Sequence, residues 1–199
     1  VFYMVYCRSR FNECKIKLNF DRTTFKEMAD FASWNFIGCS ALLLKDQGVN
    51  ILLNLFYGLT LNAARGIANS VNTAVNSFVS NFMTALNPQI TKSYASGDTS
   101  YSISLVERGA RFSFYILLVF VIPLVLETKM VLTIWLTNYP EYTISFVRLV
   151  LILSLIESLS KTLITLQNAT GKIKNYQLIV GGILLLNFLF SYICVKLHF

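Results

Sequence analysis

A chain of 199 residues that is 55% hydrophobic and only 14% charged, with a mean hydropathy of +0.57, has too few charges to cover a water-facing surface. Its net charge of +7 sits in particular loops, and no RNP, helix-turn-helix or zinc-finger pattern accompanies it, which argues against nucleic-acid binding. Cys7, Cys14, Cys39 and Cys194 are scattered without a CxxC, and the single histidine, His198, is far from three of them. Neither a metal centre nor a disulfide framework is expected.

The chain opens on an apolar run, Val1 to Tyr6, too short to cross a bilayer, and the expectation is the end of a transmembrane helix that starts upstream. Arg8, Arg10, Lys15, Lys17, Arg22 and Lys26 follow, making residues 1–30 the end of a helix plus a basic loop. Asp21 to Asp30 has the pattern of an amphipathic lead-in. From Phe31 onward the pattern predicts an all-α polytopic bundle with five spans, each near the ~20 residues a bilayer requires. They run about 31–56, 61–86, 109–126, 144–166 and 178–195.

Lys45, Asp46, Gln47 and Gly48 interrupt the first span. A helix bent near Gly48 with its polar groups turned inward is expected, because Phe31 to Leu44 is too short to cross alone. Asp46, Asn50, Asn54 and Tyr57 step by three or four along it. Leu59 and Thr60 form a tight turn into the second span, which Asn87-Pro88 is expected to end. Gly97-Asp98 makes a turn, Pro123 bends the third span, and Met130 to Leu136 reads as a short interfacial helix. Thr170-Gly171 separates the last two spans.

Basic residues fall on alternate loops: the segment before Phe31, then Lys92, Arg108 and Arg111, then Lys172 and Lys174. The stretch Glu127 to Glu141 contains only Lys129. The positive-inside rule places the basic loops in the cytoplasm.

The second span carries the most informative pattern. Asn62, Arg65, Asn69, Asn72, Asn76 and Ser80 recur at helical steps, while Ile67, Val71, Val75, Phe78, Val79 and Phe82 cover other directions. Facing lipid, each unsatisfied polar group would cost several kcal/mol, so the stripe is expected to face a hydrated cavity or a polar neighbour. The pattern predicts part of a protein that lets a polar solute cross a membrane.

The stretch NILLNLFYGLTLNAARGIANSVNTAVNSFVSNFMTALNPQITKSYASGD, Asn50 to Asp98, resembles the Wzx-like O-antigen and capsule flippases. These belong to the polysaccharide exporters of the superfamily that also holds the MATE multidrug exporters. Glu107 to Glu127, Trp135-Leu136 and Ala169 to Leu178 extend the resemblance over essentially the whole chain. It implies a transporter of about twelve helices in two bundles around a V-shaped central cavity. This chain would supply most of the C-terminal half, lacking the first bundle and the last helix. The implied activity is flipping of lipid-linked oligosaccharide, carried on undecaprenyl pyrophosphate, across the bacterial cytoplasmic membrane. The implied partners are that substrate, membrane lipids and polysaccharide-assembly enzymes, with H+ or Na+ if transport is coupled. No cofactor is implied.

Substrate-cavity candidates are Asn62, Arg65, Asn69, Asn72, Asn76, Asp46, Asn50 and Asn54. Arg65 stands out because a guanidinium pairs bidentately with phosphate, the alternative being an arginine that snorkels to the interface. Asparagine amides suit sugar hydroxyls, and they also join helices to one another. Glu157 and Lys161, four apart, are expected to pair on one face, either as structure or as a coupling element. Lys45 with Asp46 is a second internal pair. A lone histidine and the absence of GxSxG, Walker or Gly-rich nucleotide patterns argue against an enzyme. The runner-up is a MATE-type exporter of cationic drugs, whose lumen would favour carboxylates and aromatics over arginine and asparagine. A polymerase or ligase would need a larger outer loop than Glu127 to Tyr142.

Overall fold

A computed structural model describes Tyr6, Arg10 and residues 21–197. The rest of the opening apolar run, Cys7, Cys14, Lys15, Lys17 and His198 lie outside the described residues. Among the described residues the chain is helical throughout: α1 Arg22–Ala95, α2 Thr99–Leu126, α3 Thr128–Leu136, α4 Thr143–Ala169 and α5 Lys174–Leu197. All but α3 are long and apolar enough to cross a membrane, as expected for a helical membrane protein.

α1 is two arms joined at Gly58, whose φ of 79° and ψ of −177° are not helical. Arg65 in the second arm hydrogen-bonds to Asn50 in the first. On a straight helix those residues would be about 22 Å apart, so the chain folds back at Gly58. The expected turn at Leu59-Thr60 is thus found one residue early, and the expected bend at Gly48 is absent. Gly48 is helical because its missing side chain has another use: Phe188 of α5 fills the space a Cβ would occupy, 2.5 Å from its ring.

The first arm (22–57) runs parallel to α5. Lys174 lies over Trp34, Gly181 packs on Ala41 and Phe188 on Gly48. The return arm (59–95) runs antiparallel to α2, matching Ser93 with Ser102, Met83 with Ser113 and Phe78 with Phe120. It runs parallel to α4, where Asn76 meets Lys161 and Asn87 meets Thr165.

Ala68, Val75, Val79 and Met83 of the return arm pack with Leu117, Val121, Leu132, Val147 and Leu151 as the core. The α4 seam continues as buried Ser154, Ser158 and Thr162. Small side chains there let backbones approach, which is how helices associate where lipid is as apolar as the core. Leucines and aromatics point outward instead, with Leu55 75% and Phe36 73% exposed, a surface suited to lipid and not to water.

Helix ends differ from expectation in two places. The return arm continues through Pro88 to Ala95, since the one hydrogen bond lost at a proline is outweighed by its anchored last turns. Ile90 is fully buried, and Ser93 and Ser102 share a hydrogen bond at 2.7 Å. α2 starts ten residues before the expected span, at Thr99, because Asp98 caps it by accepting from the Tyr101 amide. Turns at Gly97 and Gly171 have positive φ, and the short helix is Thr128–Leu136.

Candidate functional site

The fold-back at Gly58 brings the two polar stripes of α1 together. Arg65 donates from Nη1 to Asn50 Oδ1 at 2.5 Å and to the Asp46 carbonyl at 3.4 Å. Asn50 in turn donates to Gln47 Oε1, at the limiting distance of 3.5 Å. Lys45 Nζ lies 3.6 Å from Asp46 Oδ1, so the two residues pair as expected, but Asp46 is exposed and the pair is not internal. Arg65 is half-buried between the arms, and among the described residues only its Nη1 has hydrogen-bond partners. The Nε–Nη2 edge, which presents two parallel N–H donors, stays open to a ligand.

Beside Arg65, toward the Gly58 break, Leu53, Tyr57, Leu61, Phe146, Leu149 and Val195 contribute to an apolar cavity of about 510 Å³. A cation therefore stands one turn from an apolar recess, because Leu61 and Arg65 are four residues apart on one helix.

A second polar group forms farther along the return arm. Asn76 Nδ2 donates to Asn72 Oδ1 at 2.8 Å, and Lys161 Nζ donates to Asn76 Oδ1 at 2.7 Å. The expected Glu157–Lys161 pair does not form. Among the described residues the ion pairs are Lys45–Asp46 and Glu107–Arg111, and Glu157 is exposed while Lys161 turns inward to Asn76. Spacing of four on one helix permitted the pair; the neighbouring helix supplied a nearer acceptor.

The remaining candidates divide by exposure. Asn62 and Asn72 are half-buried, whereas Asn69 and Asn54 are exposed. Arg148 donates from Nε to the Val125 carbonyl at 3.0 Å, tying α4 to the end of α2.

Three features lie beyond the expected set. Asn87 Oδ1 accepts from Thr165 at 2.9 Å, and buried Gln177 donates to Asn35 at 3.4 Å, so two further amides join helices. An exposed hydroxyl face also flanks the asparagine stripe. Ser70, Thr73 and Thr84 each donate to the carbonyl four residues back, and Ser77 to the carbonyl three back. Their helical spacing was visible in the sequence; their exposure was not. Such hydroxyls are satisfied within their own helix, yet their lone pairs remain free for a polar ligand.

No protein-family model, curated protein or solved structure matches this chain.

Proposed function

We propose that the chain is part of a transporter that flips a lipid-linked oligosaccharide across the bacterial cytoplasmic membrane, with Arg65 attracting the pyrophosphate or an acidic sugar. The reading rests chiefly on one observation: a half-buried guanidinium, in a helix long and apolar enough to span a membrane, whose Nε–Nη2 edge has no partner among the described residues. The nearby Asp46 carboxylate offsets part of the cost of a charge in that position, and the open edge fits a further anion such as that of the substrate. The apolar cavity beside it suits the substrate's lipid chain, and the asparagine and hydroxyl faces suit sugar hydroxyls. The basic loops at Lys92 to Arg111 and at Lys172 and Lys174 are cytoplasmic in this reading, by the positive-inside rule.

The test is surface-glycan assembly by the full transporter in a strain lacking its own exporter, normalised to membrane protein level. Arg65→Ala sharply reduces assembly, and Arg65→Lys keeps part of it because an ammonium retains charge but not the fork. Asn50→Ala removes the tie between the arms while leaving the guanidinium, and keeps most assembly. Wild-type assembly by Arg65→Ala, or equal loss in Asn50→Ala and Arg65→Ala, would reduce Arg65 to a structural residue.

A further inference from the structure

At the end of the bundle away from Gly58, a second site has no part in the reading above. The start of the first arm and the loop between α4 and α5 line an open cavity of about 910 Å³. Among the described residues its charged lining is balanced: Glu27 and Asp30 come from the first arm, Lys172 and Lys174 from the loop and the start of α5. None of these four is ion-paired with another. The ion pairs among the described residues lie elsewhere, and Lys174 instead stands 5.3 Å over the Trp34 ring. Two cations and two carboxylates thus line one cavity with no ion-pair partner among the described residues.

Along the same two helices, the next turns form an apolar groove of about 380 Å³. Phe36, Ile37 and Leu44 line it on the first arm, and Leu178 and Leu185 on α5. Its floor is shallow because Gly181 packs directly on Ala41, and nothing lies within 4 Å of where a Cβ of Gly182 would stand. Because the first arm and α5 run parallel, charged cavity and apolar groove follow one another in the direction of the bundle. Trp34 and Lys174 mark the boundary between them.

We infer that this composite site holds a zwitterionic aminophospholipid of the cytoplasmic leaflet. Its ammonium sits by Glu27 and Asp30, its phosphate by Lys172 and Lys174, and an acyl chain lies in the groove over Gly182. Charge balance selects the headgroup. A purely anionic lipid gains from the lysines but meets two carboxylates in the same cavity, whereas a zwitterion satisfies both walls. The groove selects a lipid over the free headgroup by shape, since an acyl chain already in the bilayer can pack along it and anchor the headgroup, which a free headgroup cannot do. The leaflet follows from the loop charges, so the inference rests on that orientation and not on any substrate at Arg65.

Native mass spectrometry of the full chain in detergent tests it, with phosphatidylethanolamine, phosphatidylglycerol and free phosphoethanolamine as probes. Phosphatidylethanolamine is retained at least five-fold better than phosphatidylglycerol. Glu27→Gln combined with Asp30→Asn removes that preference, and these exposed positions leave the helical circular-dichroism signal unchanged. Gly182→Leu fills the groove and weakens lipid retention at least five-fold. Equal retention of the two lipids, a preference that survives the double carboxylate variant, or free phosphoethanolamine binding as tightly as the lipid would each overturn the assignment.

Discussion

Lys161 Nζ donates to Asn76 Oδ1 at 2.7 Å, joining α4 to the return arm of α1 across 85 positions of sequence. The acceptor is an amide already held by its own helix, since Asn76 Nδ2 donates to Asn72. The lysine is therefore fixed by a neutral partner on another helix, and Glu157, a turn away, is left exposed.

That choice of partner is measurable. In a double-mutant cycle for unfolding in detergent, Asn76→Ala and Lys161→Ala are coupled by about 1 kcal/mol, the scale of an interhelical hydrogen bond in a membrane bundle. The cycle pairing Glu157→Ala with Lys161→Ala gives a smaller coupling, because the two charges attract without a direct contact. The reverse ranking would restore the carboxylate–lysine pair and remove the link between helices.

Gly58 is the hinge of the fold-back, and its φ of 79° with ψ of −177° belongs to a region that essentially only glycine adopts. Gly58→Ala is expected to destabilise the bundle by about 1–3 kcal/mol. Gly66 is an internal control: it is helical with open space around it, and Gly66→Ala stabilises by up to about 1 kcal/mol. Thermal unfolding in one detergent compares the two. A Gly58→Ala variant as stable as wild type would mean the reversal does not need that backbone conformation.

Asp21 caps α1 ahead of the spanning segments. Hydrogen bonds from the Thr23 hydroxyl at 2.5 Å, the Thr24 hydroxyl at 2.6 Å and the Thr23 amide at 3.1 Å hold its pKa down to about 2, from an ordinary 3.8. A depressed carboxylate stabilises above its unfolded value and loses that contribution as pH falls through its folded one. The first turns of α1 therefore stay formed at pH 4 and fray as pH approaches 2. Carboxyl-carbon NMR of Asp21, with amide exchange at residues 22–26, follows both. A titration midpoint at the ordinary value would remove the cap's contribution.

Orientation is open to single-cysteine labelling in intact cells. Cysteines replacing Ser96 and Lys172 are expected to react only with reagents that reach the cytoplasm, and one replacing Asn138 with impermeant reagent outside. External labelling at position 96 would invert the topology and move the lipid site at Glu27 to the opposite leaflet.

Much of this architecture could be read along the chain. Local rules place the helices: apolar runs of spanning length, and turns at Gly97-Asp98 and Thr170-Gly171, where Gly97 and Gly171 have positive φ. The polar stripe through Arg65 and Asn76 was legible for the same reason, since helical periodicity is a property of spacing alone. Where local rules erred, a neighbouring helix decided. Pro88 does not end its helix because Ile90 and Ser93 are held beyond it, and Gly48 does not bend because Phe188 occupies its vacant side-chain space. Lys161 ignores Glu157 because Asn76 approaches from another helix. Spacing determines which residues share a face, but partners, and the placement of Glu27, Asp30, Lys172 and Lys174 around one cavity, arise only when distant helices are brought side by side. Sequence separation carries no record of that packing, because small residues such as Gly181 and Ala41 set it through close backbone approach and not through any pattern of charge.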